Sequence, residues 1–380
     1  MAMDVTICGA GVFGLSIAFE CARRGARVRV IDPAGVAAGA SGGVVGALSP
    51  HAPDDWDEKK QFQFDGLLMA ESFWAAVSAA SGLATGYGRT GRLQPVPARG
   101  LDLAQRRGRA AEHNWRGLAS WRLIQAGQWG PESATGLHVF DDLSARIRPK
   151  AACLALAEAI RSLGGTVVAG PQALPERDGF TRTQDASDSA FERKRQAAIS
   201  DSLQSHPALG AVIWATGTSG LEHLSQDLAH PIGRGEKGQA ALLRFAAPGL
   251  PQILSDGVLI VPHDDGTLAV GSTSERWYAD LAVDHRLDEL LARAAAIVPA
   301  LAGAEVLCRW AGLRPRSVSR QPVLGPWPQR PGTFMANGGF KIGFGIAPKV
   351  AQVLAELVLE GRDLVPAGMR IEDCLRVKGV

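Results

Sequence analysis

The chain is poor in tyrosine: Tyr87 and Tyr278 are the two in 380 residues, so a pocket walled by phenol hydroxyls has little to draw on. Cysteine is sparse as well. Its five residues (Cys8, Cys21, Cys153, Cys308, Cys374) are odd in number, widely spaced and never in C-x-x-C, a pattern that excludes a disulfide framework, a thiol redox pair and a zinc ribbon. The eight histidines contain no H-E-x-x-H, and no metal is expected. Neither sign of charge dominates. Forty basic and 38 acidic residues leave a net charge of +2, which gives no general attraction to nucleic acid or anionic membrane. The apolar stretch at residues 5–19 lacks a basic lead-in, is interrupted by three glycines and is too short for a bilayer; a cytoplasmic location is the default expectation. No repeat or long low-complexity tract appears.

Glycine is what the chain has, 45 residues of it. Residues 4–14, Asp-Val-Thr-Ile-Cys-Gly-Ala-Gly-Val-Phe-Gly, read as a strand entering a G-x-G-x-x-G turn and a helix from Val12 that Gly25 stops. Gly9 makes the tight turn, Gly11 lets the backbone approach a diphosphate, and Gly14 lets helix and strand pack closely. Val12 and Phe13 open the helix, whose N-terminus offers N–H donors and partial positive charge. A second strand follows and ends at Asp32, 21 residues beyond Gly11, where an acid hydrogen-bonds an adenosine ribose. Strand, turn, helix, strand and acid in this order place a dinucleotide.

A length of 380 residues with 46% apolar and 21% charged content predicts a sizeable core and two domains. The spacing predicts an α/β protein with a Rossmann-like nucleotide-binding domain assembled from separated segments (1–85, 145–232 and 308–380) and a β-rich substrate domain (86–144 and 233–307). Helices are expected over 62–80, 101–121, 151–163, 285–297 and 348–360, with Pro348 in the last helix's first turn and Gly361 past its end. Residues 171–206 read as a polar surface excursion. Gly233-Arg234-Gly235-Glu236-Lys237-Gly238 also fits G-x-G-x-x-G, but a strand-like run follows it, so a second nucleotide site and a nicotinamide are not expected.

Three further segments choose the cofactor. Ile213-Trp214-Ala215-Thr216-Gly217 is a strand ending in a glycine turn able to approach the dinucleotide's middle. Gly39-Ala40-Ser41-Gly42 is a small-residue loop suited to close approach. Asn337-Gly338-Gly339-Phe340-Lys341-Ile342-Gly343-Phe344-Gly345 opens the last helix, with N–H groups and dipole facing a ring that becomes negative on reduction. With these segments the chain resembles the FAD-dependent D-amino-acid oxidase superfamily, in its glycine oxidase and sarcosine oxidase-like branch. The likeness runs through residues 9–14, 39–42, 164–170, 215–217, 235–239, 271–275, Gly312-Leu313-Arg314-Pro315, 322–326 and 338–348, nine motifs in the family's order. It implies noncovalent FAD, and extends the cofactor-binding set to Ala40, Ser41, Gly46, Val168, Ala215, Thr216, Gly217, Gly338, Gly339, Phe340, Lys341 and Ile342.

The resemblance also implies the chemistry. The flavin takes hydride from a carbon bearing an amine, and the imine hydrolyses, so anion anchors matter more than an acid–base pair. Arg314 matches the arginine that grips a substrate carboxylate. Arg316 is expected to face away. Lys341 stands where amino-acid oxidases carry arginine; it would touch substrate carboxylate or the flavin edge, or remain a solvated loop lysine. His51 lies where the family's chain passes the flavin, as a substrate contact or a structural histidine. Neither His51 nor Cys308 sits as in branches with attached flavin. Leu259 occupies a place where glycine oxidase-like enzymes often carry tyrosine, which makes that wall apolar and leaves room for a bulkier or secondary amine. Trp277, Tyr278 and Trp310 are candidates for an aromatic pocket.

The leading expectation is an amino-acid or amine oxidase or dehydrogenase, with oxygen or another acceptor reoxidising the flavin and the oligomeric state left open. The runner-up acts on carboxymethylaminomethyl-uridine of tRNA, since residues 39–50 and 62–74 also resemble the oxidase half of a bifunctional tRNA-modifying enzyme. Arginines 99, 106, 107, 109, 116 and 122 with Arg193, Lys194 and Arg195 would then meet phosphates. A non-catalytic flavoprotein subunit is the third reading.

Overall fold

The computed structural model describes residues 3–125, 127–170 and 210–377; the surface excursion expected at 171–206, and with it Arg193, Lys194 and Arg195, lies outside them. Two large sheets organise the rest.

The first sheet has six strands in the order β15-β16-β9-β1-β2-β8: Val323–Pro326, Thr333–Asn337, Ala211–Trp214, Asp4–Cys8, Arg27–Asp32 and Thr166–Ala169. All neighbours are parallel except β15 with β16. Between β1 and β2 runs helix α1, Val12–Arg23, which buries Val12, Phe13, Leu15, Ile17, Ala18 and Phe19. Buried on nearly every side, it is held by packing against the sheet and against helices α2 (Glu58–Ser81), α4 (Pro149–Ser162) and the late helix Gly343–Glu360. Asp57 starts α2 by accepting from the Lys60 N–H at 2.8 Å, and Gly82, at φ +70°, ends it.

The second sheet has eight strands, β14-β10-β13-β12-β11-β4-β6-β5: Val306–Ser317, Gly233–Arg244, Thr267–Gly271, Val258–Pro262, Gln252–Ser255, Arg92–Pro95, His138–Asp141 and Trp121–Ile124. Helix His285–Ile297, capped by Asp284 as expected, covers part of it through Leu287, Leu290 and Ala294.

Three expectations are corrected. Residues 308–317, grouped with the nucleotide-binding segments, form β14 and pair with β10 from Gly233↔Ser317 to Leu243↔Val306; their length and register commit them to the second sheet. Helix α3, Leu101–Trp115, ends six residues short of the expected bound, and Trp121 already opens β5, because Arg116 and Gly117 adopt positive φ. The late helix begins at Gly343, which puts Pro348 inside it. Proline removes the donor owed to the Phe344 carbonyl, but burial of Ile346, Ala347, Val350, Ala351, Val353 and Leu354 outweighs that loss. The second G-x-G-x-x-G lies wholly within β10, so its glycines make no phosphate turn. No helix among the described residues is long and apolar enough to cross a membrane.

Chain order along the first sheet reverses between β1 and β9, so the crevice beyond their carboxyl ends is where an open α/β sheet receives a ligand. There the turn after β1, the turn after β9, the end of β16 and the long strands of the second sheet converge.

Candidate active site

A single cavity gathers the separated motifs. Its wall includes Gly11, Val12 and Phe13 after β1, Ala40 and Ser41, Gly46, Ala215 to Gly217 after β9, and Gly339 to Lys341 at the late helix. From the second sheet come Ala240, Leu259, Ser272, Trp310 and Arg314.

The cofactor side is built of backbone. A Cβ on Gly14 would stand 2.0 Å from the Gly9 carbonyl oxygen, and one on Gly9 (φ +108°) 2.4 Å from that of Ala215. These two glycines let β1, α1 and the β9 turn close on one another and do not line the cavity. Gly11 differs: ahead of its Cβ position stands the Ser41 hydroxyl, at 3.1 Å. Gly46 is pressed to the Ile147 carbonyl, where a Cβ would sit 1.8 Å away. Neither α1 nor the late helix carries an acidic residue in its first turn or a side-chain cap from its own N-cap residue. Both helix N-termini therefore present N–H donors to the cavity, joined by the Ser41 hydroxyl, which accepts from the Val12 N–H at 3.0 Å. Asn337 stiffens the far turn, donating to the Gly217 carbonyl and accepting from the Gly338 N–H, each at 2.8 Å. Helix N-termini without a cap from their own N-cap residues, no acidic residue in the wall and open backbone fit an extended diphosphate such as FAD.

Several expected residues stand behind the wall. Asp32 is fully buried, accepting from the Ala10 N–H at 2.8 Å and the Ala34 N–H at 3.1 Å, and so ties the glycine turn to the end of β2. Val168 pairs with Ile31 at the sheet edge and is 42% exposed. Gly338 and Ile342 flank the lining residues of the tail loop. His51 is also outside the lining. Its backbone N–H donates to Gln63 at 2.8 Å, and burial, with Lys59 next, holds its imidazole below the ordinary value. Neither Trp277 nor Tyr278 reaches the cavity; Trp277 is 82% exposed, under the Arg234 guanidinium. Cys308 also lies outside the wall.

The substrate side is built of side chains. On the antiparallel pair β10–β14, Gly238 faces Gly312 and Glu236 faces Arg314. A Cβ at Gly238 would lie 2.1 Å from the Arg314 guanidinium, and one at Gly312 2.4 Å from the Trp310 ring. The paired glycines make the space in which these large side chains lie over the sheet. Arg314 donates through Nη1 to the Thr273 carbonyl at 3.1 Å, its one hydrogen bond among the described residues. Burial pulls its pKa down, against the opposing pull of Glu236 and Glu275. Thr273 is itself anchored: its hydroxyl donates to Glu275 at 2.5 Å and accepts from the Gln239 N–H at 2.8 Å. Beneath lies a buried network in which Lys237 donates to the Ala282 carbonyl at 2.7 Å and approaches Glu275 and Asp284, while the Gln239 amide donates to both acids.

Arg316 does not face away as expected. Alternate residues of a strand share a face, and Arg316 pairs with Glu236, the residue opposite Arg314, while packing 4.9 Å from the Phe340 ring centroid. Burial raises the Glu236 carboxyl, but hydrogen bonds from Ser274 and Arg316 outweigh it and hold the group below the usual carboxylate range. Glu236, Thr273 and the Gly238–Gly312 pair lie in motifs that carry the family likeness, but the sequence assigns them no role in the site; two glycines within strands signal close approach, though not what approaches.

Residues 4–357 match the model of the family described as FAD dependent oxidoreductase. The chain belongs to that family. Its cofactor is FAD, and it is an FAD-dependent oxidoreductase. It is 26% identical over 370 residues to glycine oxidase of Geobacillus kaustophilus, covering 93% of this chain and 92% of that one. It is 36% identical over 129 residues to glycine oxidase of Pseudomonas aeruginosa, a match spanning 33% of this chain and 35% of that enzyme. The crystal structure of the G. kaustophilus glycine oxidase superposes with a TM-score of 0.76 at 23% identity and 99% coverage of both chains, which supports the fold.

Proposed function

We propose that this flavoenzyme oxidises the C–N bond of an amino acid or secondary amine that carries a carboxylate. The substrate gives up two electrons and two protons overall, and the resulting imine takes up water and falls apart to a carbonyl compound and an amine. FAD, when bound, supplies the two-electron acceptor, and oxygen or another acceptor completes the cycle. The observation that carries this reading is Arg314, a guanidinium in the cavity wall that spends one donor on Thr273.

A planar guanidinium forks onto both oxygens of a carboxylate and so fixes the α-carbon. Thr273 and the Lys237–Glu275–Asp284 network hold the guanidinium in place, which lowers the ordering cost of binding. Leu259 and Trp310 give an apolar wall that keeps water from the reacting carbon. Gly11, Val12, Phe13 and Ser41 would hold the diphosphate, and Ala215 to Gly217 with the main chain of Gly339 to Lys341 the ring side, while Asp32, buried behind the wall, would act through the glycine turn that it ties down. Attachment is noncovalent in this reading, since neither His51 nor Cys308 lines the cavity. The place of action is the cytoplasm.

A small-molecule substrate is favoured over tRNA because the net charge is only +2 and, of the six arginines from 99 to 122, two are engaged within the protein while Arg99, Arg106, Arg109 and Arg116 are exposed. Arg107 pairs with Asp54 at 3.0 Å and Arg122 packs 5.6 Å from the Phe140 ring centroid. The test is anaerobic mixing of the FAD-loaded protein with D- and L-amino acids, N-methyl amino acids, cyclic imino acids and tRNA. Bleaching of the flavin by a carboxylate-bearing amine is expected; bleaching by tRNA alone, or by nothing, would overturn the proposal.

A further inference from the structure

The charge around the cavity is one-sided. Arg314 and Lys341 both line it, and no aspartate or glutamate does. Lys341 rests 5.5 Å from the Phe340 ring centroid and Arg316 4.9 Å from the same centroid, so one ring gathers two cations beside the anchor. The carboxylate at hand, Glu236, is buried and taken by Ser274 and Arg316. The Lys341 ammonium makes no hydrogen bond or ion pair among the described residues. Lys341 is partly open to solvent; burial of the rest of its side chain, then Arg314, hold it below the usual lysine range against the pull of Glu236. The diphosphate cradle is backbone and leaves this cation unclaimed.

We propose that Lys341 forms a second anion subsite and that the substrate is an amine bearing two carboxylates, one gripped by Arg314 and the other by Lys341. This rests on the reading of Arg314 as the carboxylate anchor. A bidentate carboxylate satisfies the Arg314 fork and leaves Lys341, a compact point charge with three donors, to take a second one. Two substrate classes share this chemistry: imino-diacids, with the second carboxylate on the nitrogen arm, and acidic amino acids, with it on the carbon arm.

The test uses the FAD-loaded protein and acids that cannot be oxidised at nitrogen, with perturbation of the flavin spectrum as the binding signal. Diglycolate against methoxyacetate probes the nitrogen arm, and succinate against butyrate the carbon arm. In at least one pair the diacid should bind about tenfold tighter or more, and the pair with the larger ratio identifies the class. Lys341→Met should bring that ratio toward unity, and Lys341→Arg should restore it. Equal binding of diacid and monoacid in both pairs would overturn the proposal, as would a ratio that Lys341→Met leaves intact. If Arg314→Ala leaves the binding of every acid unchanged, the carboxylate-anchor reading itself fails, a result distinct from loss of the diacid preference alone.

Discussion

The two halves of the cavity are built in different materials. On the side of β1, β9 and the late helix, the wall is main chain brought close by glycine and small residues, with helix N-termini as donors. On the side of β10 and β14 it is side chain: Arg314 and Trp310 laid over paired glycines, with ionic groups behind them. A wall made of backbone depends on where Cβ atoms are absent, whereas a wall made of side chains depends on what pins each of them. The two should therefore fail in different ways.

The largest expected effect is on the first side. Gly14→Val would drive a side chain into the Gly9 carbonyl, and soluble folded protein should be lost; a normal melting transition would refute the packing role. Gly11→Val meets the end of a flexible side chain instead. It should leave a folded, colourless protein, separable from Gly14→Val by circular dichroism and FAD content.

Next comes the second side. Arg314→Ala should retain FAD but raise the KM for a carboxylate substrate by roughly 10- to 100-fold, the worth of a lost charge-assisted hydrogen-bond pair. Loss of FAD in parallel with activity would erase the distinction between the halves.

A third effect concerns the hairpin that joins β12 to β13. His263 is buried, and burial pushes its pKa down from 6.5 to about 4, with Asp265 opposing. The folded state holds the neutral ring, so its contribution is whole above the unfolded pKa and fades as pH falls through the folded one. Stability should drop by roughly 1.4 kcal/mol per pH unit below about 6.5, to a total of about 3 kcal/mol. Urea titrations between these limits should show that slope flattened in His263→Gln; an equal slope in both proteins would assign it elsewhere. The smallest effect is expected at Trp277, 82% exposed. Trp277→Ala should change stability by under about 0.5 kcal/mol and leave the KM unaltered, whereas a raised KM would bring this loop into the substrate site.

The same contrast explains what the sequence discloses. Gly9, Gly11, Gly14 and the Gly217 and Gly339 turns are legible because a backbone contact tolerates few residue types, so the motif records the geometry. Arg314 is legible by family likeness, but its support is not. Thr273 and Glu275 act through pairing across the sheet, and Arg316 takes its side from a strand register that no local pattern reveals. Burial hides Pro348 within a helix in the same way, because packing outweighs local propensity. His51 and Trp277 show the converse: suitable chemistry near a motif in sequence, and no place in the wall.

The central claim is that a backbone cradle holds FAD while Arg314 alone of the two sides' groups reads the substrate's α-carboxylate. It is tested most directly by anaerobic flavin reduction with an amine acid and its methyl ester, in parent and Arg314→Ala proteins of equal FAD content. The parent should favour the acid by about tenfold or more in half-saturating concentration, and the variant should lose this preference. Equal reduction by acid and ester in the parent, or a preference that survives the loss of Arg314, would contradict it.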